Sequence, residues 1–509
     1  MQTNKHPAAR RLAAMCGVVA LSLSGLIGGA GVASADPNYG NINQDATGSI
    51  IIHKHLNGDG TAANPDGTGS VSGDPVGNVT FAAYPITSLD LSKSADWDTL
   101  STLEVPDSAC ANPTSPTLAG QELGASAGSG TTNGSGEATI GNLPVKAYLV
   151  CETSAPGNIV QKAKPFVVTI PYPYDGSWLY DVNVYPKNTE VSIDKTIETQ
   201  TQYGLGSTVS FPVTTTVPAL DDAANFQYFQ IKDEMDSRFS NPAVSQVTLG
   251  GTPLVLNTDY TVTTSGNTIT VKFTSTGLTR LKSAAGQEVR ATFQGTVTSV
   301  GDGAIKNTAQ LITDTQYGAV PPTPPEDPTP PDTPPTTPEV QTNWGDLKVH
   351  KVDADNHSTG LAGAIFEVYN AAEPYASDCA NATRTGDPIS VSGQTQFTSD
   401  ESGVVNIAGL YVSDSVNTSN ADQRCYVLVE VEAPAGFVKQ NAGIPVTVTA
   451  GTTNEGVYGT IVLNSKQAVP GLPLTGAQGK VLMMVVGAIL IITAGTTAVV
   501  RSRRAAAAA

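Results

Sequence analysis

Three lysines in this sequence occupy strand positions that should face a protein core, where an amine can become a nucleophile. Side chains of a β-strand alternate between its two faces. In the segment from Leu347 to Lys351, the apolar Leu347 and Val349 therefore share a face with Lys351. Because a buried ammonium without a partner is costly, each such lysine needs a polar partner in its domain. The other two, with the apolar residues on their faces, are Lys54 with Ile50 and Ile52, and Lys195 with Val191 and Ile193.

Acids and asparagines at inward-facing positions could be those partners. The same alternation places three acids inward, each in phase with two apolar or aromatic residues: Glu152 with Tyr148 and Val150, Asp233 with Phe229 and Ile231, and Glu430 with Tyr426 and Leu428. Asp236 is out of phase. An asparagine stands near the end of each domain: Asn188 in phase with Val182 and Val184, Asn307 after Ile305, and Asn464 in phase with Thr460 and Val462.

These side chains permit two interpretations. The simpler one is three buried ion pairs between lysine and carboxylate. In the second, burial lowers the pKa of the lysine and raises that of the carboxylic acid. The neutral amine then attacks the asparagine carboxamide, the protonated acid polarises that carbonyl and shuttles protons, and ammonia leaves. We favour the second interpretation because of the family resemblance that Tyr148–Gly157 and Tyr426–Pro434 carry, and both interpretations use the same residues.

A fourth lysine points the other way. The segment Trp178–Asn188 reads WLYDVNVYPKN, and Asn188 shares the inward face with Val182 and Val184. Lys187 should therefore face outward. An outward amine beside an inward asparagine is accessible to an external enzyme. The alternative is an ordinary surface lysine that follows a strand.

The C-terminus contains three features in a fixed order. Leu472-Pro473-Leu474-Thr475-Gly476 comes first, and an uncharged, mostly apolar run from Val481 to Val500 follows, long enough for about 30 Å of helix. Arg501, Arg503 and Arg504 then provide a positive-inside stop. This order resembles the cell-wall sorting signal of Gram-positive bacteria, whose LPxTG motif is cut by sortases between Thr and Gly. An ordinary single-pass membrane protein is the alternative.

The N-terminus has the layout of a secretory signal peptide, predicted over residues 1–35. Basic Lys5, Arg10 and Arg11 precede the largely apolar stretch Leu12–Ile27. Ala33-Ser34-Ala35 is a small-residue cleavage site, which would leave Asp36 as the first residue. The alternative, an N-terminal transmembrane anchor, does not explain that site.

Charge and cysteine content agree with export. The formal net charge of −18 argues against nucleic acid and anionic membranes as partners. Cys16 would leave with the signal peptide, and the even number of cysteines that remains suggests disulfides. Of the three conceivable pairings, the local one joins Cys110 to Cys151 and Cys379 to Cys425, with one bridge in each end domain.

Short runs rich in Val and Thr, with many turn residues, predict an all-β protein of three tandem β-sandwiches followed by the C-terminal helix. Segments 48–54 and 148–157 resemble 345–351 and 426–434, so the first and last sandwiches are predicted to be copies of one type. The proline-rich stretch from Val320 to Val340 predicts a stiff polyproline II spacer. The predicted boundaries are signal peptide 1–35, first sandwich 36–188, middle sandwich 189–318, linker 319–340, last sandwich 341–466 and sorting signal 467–509.

Two motifs carry a family resemblance. Tyr148–Gly157 and Tyr426–Pro434 resemble the E-box of Gram-positive pilins, roughly YxLxETxAPxGY, although Val431 replaces the usual Thr. Trp178–Lys187 resembles their pilin motif, WxxxVxVYPK. The resemblance implies immunoglobulin-like sandwiches of the collagen-adhesin-B type and a shaft, or major, pilin of a sortase-assembled fimbria. It also implies internal isopeptide bonds, each with a catalytic acid: Lys351–Asn464 with Glu430, Lys195–Asn307 with Asp233, and Lys54–Asn188 with Glu152.

The same resemblance implies the partners. A class C pilus sortase would join the Thr475 carbonyl of one subunit to Lys187 of an identical subunit. A housekeeping sortase would then attach the fimbria to peptidoglycan, with a tip pilin as a further partner. The protein would be a sortase substrate that supports cell adhesion, without activity on an external substrate and without a cofactor. The rival interpretations are a monomeric wall-anchored adhesin, which does not need Lys187, and a tip or base pilin.

Two patterns suggest metal sites and are set aside. Asp90-Leu91-Ser92-Lys93-Ser94 matches a DxSxS metal-site pattern but lacks the accompanying Thr and Asp loops, so we interpret it as a solvated loop. His53 and His55 flank Lys54 on the opposite strand face, and two histidines at this spacing can bind a metal. No third ligand is near them in sequence, so no metal is expected.

Overall fold

The computed structural model describes residues 41–56, 63–317, 324–325, 328, 333–468 and 477–506. The predicted signal peptide 1–35 with its cleavage site and the motif Leu472–Gly476 lie outside the described residues.

The N-terminal part of the chain folds into a β-sandwich with one short helix, α1 (Ser94–Ser101). Its strands in chain order are β1 (Thr47–His53), β2 (His55–Leu56), β3 (Thr80–Pro85), β4 (Gly128–Thr131), β5 (Glu137–Pro144), β6 (Lys146–Ser154), β7 (Ile159–Gln161), β8 (Phe166–Ile170), β9 (Tyr172–Tyr174), β10 (Ser177–Leu179), β11 (Asp181–Val184) and β12 (Lys187–Glu190). The sheet β11-β1-β5 packs on the sheet β4-β3-β6-β8, with Ile50, Phe81 and Tyr148 in the core between them. Strand β12 lies between β2 and β7, which places the end of this domain beside its first strands.

The middle of the chain forms a second sandwich with a helix, α2 (Ser275–Ser283), whose N-cap Thr274 accepts a hydrogen bond from the Gly277 amide. Its strands are β13 (Asp194–Lys195), β14 (Thr208–Thr216), β15 (Ala224–Glu234), β16 (Phe239–Leu249), β17 (Thr252–Pro253), β18 (Tyr260–Ser265), β19 (Thr268–Phe273), β20 (Glu288–Val297), β21 (Ala304–Asn307) and β22 (Ala309–Tyr317). The two facing sheets are β13-β14-β20-β16-β17 and β18-β19-β15-β22.

The last sandwich is built around one long strand. Its strands are β23 (Val340–Asp353), β24 (Asn356–Gly360), β25 (Ile365–Ala371), β26 (Arg384–Thr385), β27 (Phe397–Thr398), β28 (Val404–Asp414), β29 (Gln423–Glu432), β30 (Ile444–Thr449) and β31 (Thr460–Asn464), with a 3₁₀ helix at Cys379–Asn381. Strand β23 pairs with β24, β28 and β31, and the opposite sheet has the order β26-β25-β29-β30 with β27 beside β25. Helix α3 (Ala477–Ala506) follows. The predicted all-β fold of three tandem immunoglobulin-like sandwiches with a C-terminal helix is confirmed.

The middle and last sandwiches share one apolar core. The sequence instead predicted that a stiff spacer separates them. The first residues of β23 pair with β21 of the middle sandwich, from Val340 opposite Asn307 to Asn343 opposite Ala304. Residues 335–337, just before β23, lie alongside β22, where the Leu311 amide donates to the Pro335 carbonyl and the Thr337 amide donates to the Ala309 carbonyl. Buried residues of both sandwiches belong to one contiguous cluster. The end of the proline-rich stretch is therefore part of the folded body.

Candidate cross-linking sites

Lys351, Glu430 and Asn464 meet inside the last sandwich, where they project from β23, β29 and β31. Their exposed fractions are 0%, 0% and 2%. The Lys351 Nζ lies 2.5 Å from Asn464 Oδ1 and 3.7 Å from Glu430 Oε1. Asn464 Nδ2 donates to the same Glu430 oxygen at 2.8 Å. The amine and the carboxyl therefore contact the two ends of one carboxamide.

This placement suits the attack of an amine on an amide. Burial lowers the pKa of Lys351 to about 8, although the Glu430 carboxylate opposes that shift. At pH 7 roughly a tenth of such an amine is neutral. The Glu430 carboxyl adjoins the nitrogen that would leave as ammonia, so it can give that nitrogen a proton.

Lys195, Asp233 and Asn307 form the corresponding group in the middle sandwich, on β13, β15 and β21. The Lys195 Nζ lies 2.5 Å from Asp233 Oδ2 and donates to the Thr308 carbonyl at 3.3 Å. Burial lowers the pKa of Lys195 and raises the pKa of Asp233. The Asn307 amide is close enough to Asp233 to favour its ionised form, yet neither amide atom makes a hydrogen bond of ordinary geometry to the described residues. A buried carboxamide is thus left beside the ion pair.

Lys54, Glu152 and Asn188 repeat the arrangement in the first sandwich. The Lys54 Nζ lies 3.0 Å from Glu152 Oε2, and Asn188 Nδ2 donates to Glu152 Oε1 at 3.2 Å. All three side chains are buried. Burial lowers the pKa of Lys54 to about 8 against the attraction of Glu152. In each sandwich the structure brings together the lysine, acid and asparagine that the alternation pattern selects.

Loop amides complete two of these sites, and no sequence pattern indicates them. The Gln440 amide donates to Glu430 Oε2 at 2.6 Å, and the Ala163 amide donates to Glu152 Oε2 at 3.0 Å. Gln440 lies between β29 and β30, and Ala163 lies between β7 and β8, so each amide comes just before the strand that pairs with the strand of its glutamate. A backbone amide fixes the rotamer of the carboxyl that it binds. The repeated loop contact is a second likeness between the first and last sandwiches.

Lys187 lies at the start of β12, next to the buried Asn188. Its side chain is half-buried, and its Nζ donates to the Ser72 carbonyl. Burial lowers the pKa of this amine. Within the described parts of the chain, no carboxylate forms an ion pair with it. The two neighbouring residues therefore present one amide to the interior and one amine toward the surface.

Comparisons with known proteins show which family the chain belongs to. Residues 45–189 match the family described as Gram-positive pilin subunit D1, N-terminal domain, and residues 345–460 match a prealbumin-like fold domain. The chain is 48% identical to fimbrial subunit type 2 of Actinomyces naeslundii over 531 residues, which cover 99% of this chain and 98% of that protein. The chain belongs to the fimbrial subunit family. It is 30% identical to fimbrial subunit type 1 of Actinomyces viscosus, covering 97% of this chain and 98% of that one.

A solved structure extends the likeness to three dimensions. The full-length major pilin SpaD from Corynebacterium diphtheriae superposes with a TM-score of 0.63 at 27% identity, covering 84% of this chain and 99% of SpaD. The present fimbrial subunit is therefore a structural protein of a surface-exposed Gram-positive fimbria. The monomeric adhesin is not favoured.

The C-terminal helix of the fimbrial subunit fits the predicted spanning segment. Within α3, Met483–Arg501 is long and apolar enough to cross a membrane, with a mean hydropathy of 2.2, and none of it is buried against the rest of the protein. The helix follows the predicted sorting motif Leu472-Pro473-Leu474-Thr475-Gly476, which lies outside the described residues.

Two disulfides connect the cysteines that lie beyond the predicted signal peptide, Cys110 with Cys151 and Cys379 with Cys425. Cys151 belongs to a second apolar cluster on the outer face of the sheet that contains β6, where it packs with residues of the 86–123 excursion. Cys379 and Cys425 pack with Ala371 in a smaller cluster of the same kind. Each bridge thus fastens a surface excursion to the outside of a sheet.

Removal of the second bridge should loosen an excursion and spare the sandwich. In a Cys379→Ser/Cys425→Ser double variant, we expect protease cleavage between residues 372 and 422 to accelerate several-fold, because the segment loses its covalent tie. Limited proteolysis followed by peptide mass analysis measures this. Wild type digested under the same conditions is the control. The disulfide-linked peptides of that wild-type digest check the pairing. A peptide that joins Cys110 to Cys379 or Cys425 would contradict the local pairing.

The two patterns set aside as metal sites have other partners. His53 Nε2 contacts Asn183 Oδ1 at 2.8 Å, and the His53 ring stacks on Tyr185. Asp90 Oδ1 accepts hydrogen bonds from the amide and hydroxyl of Ser92, as in a capped surface turn. No group of three or more His, Cys, Asp or Glu side chains that could hold a metal occurs among the residues that the structure describes.

Proposed function

We propose that this fimbrial subunit is the shaft pilin of a covalent fimbria, in which the Thr475 carbonyl of one subunit is joined to Lys187 of the next. The observation that carries the proposal is the environment of the Lys187 amine. Its amine is half-buried with a lowered pKa, lies on the outer side of β12 and pairs with a neutral carbonyl instead of a carboxylate. Such an amine loses its proton more readily than an ordinary surface lysine, which is what acyl transfer requires.

The reaction needs an external enzyme. A class C pilus sortase attacks the Thr475 carbonyl with its cysteine, and the peptide from Gly476 onward leaves. The neutral Lys187 amine of another subunit then attacks the resulting thioester. The C–N bond forms, the C–S bond breaks, the sortase thiolate is released and the amine's proton passes to the enzyme. A housekeeping sortase attaches the completed fimbria to peptidoglycan, after α3 has held the precursor in the membrane.

Three internal isopeptide bonds are the second part of the proposal: Lys351–Asn464, Lys195–Asn307 and Lys54–Asn188, promoted by Glu430, Asp233 and Glu152. In each reaction the lysine amine displaces ammonia from the asparagine carboxamide. The support is the burial of all three sets and the short contacts within them. The domain boundaries proposed from the sequence place one bond in each sandwich, at 36–188, 189–318 and 341–466.

Intact mass tests the internal bonds. The secreted, unpolymerised chain should be lighter than its sequence mass by one ammonia for each internal bond and by two hydrogens for each disulfide. We expect the full deficit, because each lysine is buried together with its acid and its asparagine. Reduction of the disulfides restores the hydrogens and leaves the ammonia deficit as an internal control. A mass without any ammonia deficit would favour buried ion pairs.

The link between subunits is tested on purified fimbriae. Digestion should release one branched peptide in which Thr475 is joined to the Lys187 side chain, identified by fragmentation in a mass spectrometer. A digest in which Thr475 is joined to a different lysine would refute the assignment of Lys187.

A further inference from the structure

The two histidines that flank Lys54 face the residues of the pilin motif. Strands β2 and β12 are parallel neighbours, with His55 opposite Lys187. Two positions earlier in both segments, the His53 ring stacks on the Tyr185 ring at a centroid distance of 5.0 Å. His53 and His55 thus form a pair of side chains alongside Tyr185 and Lys187. His55 is the side chain that stands beside the acceptor amine.

One turn binds both His55 and Lys187. The Lys187 Nζ donates to the Ser72 carbonyl, and the next carbonyl, that of Gly73, lies 3.0 Å from His55 Nδ1. Because a carbonyl only accepts, His55 Nδ1 must carry the hydrogen. Two consecutive carbonyls therefore hold the imidazole and the amine.

The turn has little room to move. Gly73 has a φ of +87°, and a Cβ at that position would lie 2.2 Å from the Leu56 carbonyl oxygen. The Leu56 amide in turn donates to the Asp74 carbonyl at 2.8 Å. Backbone contacts fix one side of the turn to β2, and His55 supplies the side-chain contact.

The charges around His55 favour a neutral ring. Burial lowers the pKa of His55, and the charges of Lys187, His53 and Lys54 lower it further, against the opposing effect of Asp74. At neutral pH the imidazole therefore donates from Nδ1 without adding a positive charge next to Lys187.

We propose that His55 is a positioning residue for the acceptor amine, because its hydrogen bond to Gly73 holds the Ser72 carbonyl that orients Lys187. The inference rests on the proposed function of Lys187 in fimbria assembly. Attack on the thioester requires the amine lone pair to point at the carbonyl carbon, and a long lysine side chain otherwise samples many rotamers. A fixed carbonyl removes much of that freedom before the acyl-enzyme arrives.

The test compares variants of the full chain in cells that express it with its sortases. After a pulse of labelled amino acid, the rate at which the label enters SDS-resistant polymer is measured. His55→Ala should slow this rate by about tenfold or more, because the amine is no longer held in place. His55→Asn should recover most of the rate, since its side-chain amide can occupy the position of Nδ1, whereas His55→Gln should not.

Three controls separate positioning from folding and from the proposed function. His53→Ala loses the stack on Tyr185 but keeps the Ser72–Gly73 turn, so it should polymerise at the wild-type rate. In His55→Ala the subunit that is not polymerised should still reach the wall as monomer, and the melting temperature should be unchanged. Lys187→Ala tests the acceptor itself, and polymer in that variant would overturn the proposed function whatever His55 does. Wild-type polymer growth in His55→Ala, or equal defects in His55→Ala and His55→Asn, would overturn the positioning role.

Discussion

A Lys187→Ala variant should leave no fimbrial polymer and a normally folded subunit. The acyl-enzyme at Thr475 then lacks its specific amine, so transfer to a second subunit stops. The folded state loses little, because Lys187 is half-buried, its Nζ has one hydrogen bond to a backbone carbonyl, and it takes part in no ion pair among the described residues. Such a substitution costs about 1 kcal/mol or less.

The measurement is the ladder of SDS-resistant species in wall extracts. In Lys187→Ala the ladder should collapse to a single wall-linked monomer, because the sorting motif is intact. Lys187→Arg should fail as well, since a guanidinium stays protonated and is a poor nucleophile. Lys146→Ala, at the start of β6 in the same sandwich, is the matched control and should give the full ladder. Deletion of Leu472–Gly476 should abolish both polymer and wall linkage. A ladder in Lys187→Ala would mean that another lysine is the acceptor.

A Glu430→Ala variant should fold without the internal bond of its last sandwich. Glu430 contacts both Asn464 and Lys351, so its removal takes away the group that we propose delivers protons to the leaving nitrogen. The bond would close a loop between residues 113 positions apart. In the chain-entropy description, closure of a loop of that length contributes about 4–5 kcal/mol.

Intact mass and calorimetry measure the outcome. The measured mass should be one ammonia higher than the mass calculated for the Glu430→Ala chain with every internal bond of the wild type. The melting temperature of the last sandwich should fall by about 10 °C or more. Glu432→Ala, an exposed residue at the end of the same strand, is the matched control and should retain the bond. If Glu430→Ala still lacks the ammonia, a different group promotes the reaction.

Period-two alternation predicted which of these side chains face the interior, and the family resemblance grouped them. The alternation placed Lys351, Glu430 and Asn464 inward, and the structure buries all three on adjacent or facing strands. The prediction worked because a regular strand leaves only two directions for a side chain. The same rule separated Lys187 from Asn188.

The sequence could not predict contacts made by irregular segments. The Gln440 amide on Glu430 and the Ser72 carbonyl on Lys187 come from loops, where no periodicity links position to direction. The shared core of the middle and last sandwiches was also unexpected. Proline-rich composition indicated a spacer, but β23 begins at Val340 and pairs with β21, so tertiary pairing extends the folded body into that segment.

The positions of the proposed cross-links would decide how a fimbria carries tension. A pull from the preceding subunit would enter at Lys187, at the very end of the first sandwich, and pass directly along the chain to Lys195. There the Lys195–Asn307 bond would transmit the force past most of the middle sandwich, and the Lys351–Asn464 bond would do the same in the last one. The loaded polypeptide would then include β22 and the start of β23, which are held by β15 and β21. The first sandwich would carry none of this tension. Its Lys54–Asn188 bond would therefore serve the chemistry around Lys187 more than the strength of the fibre.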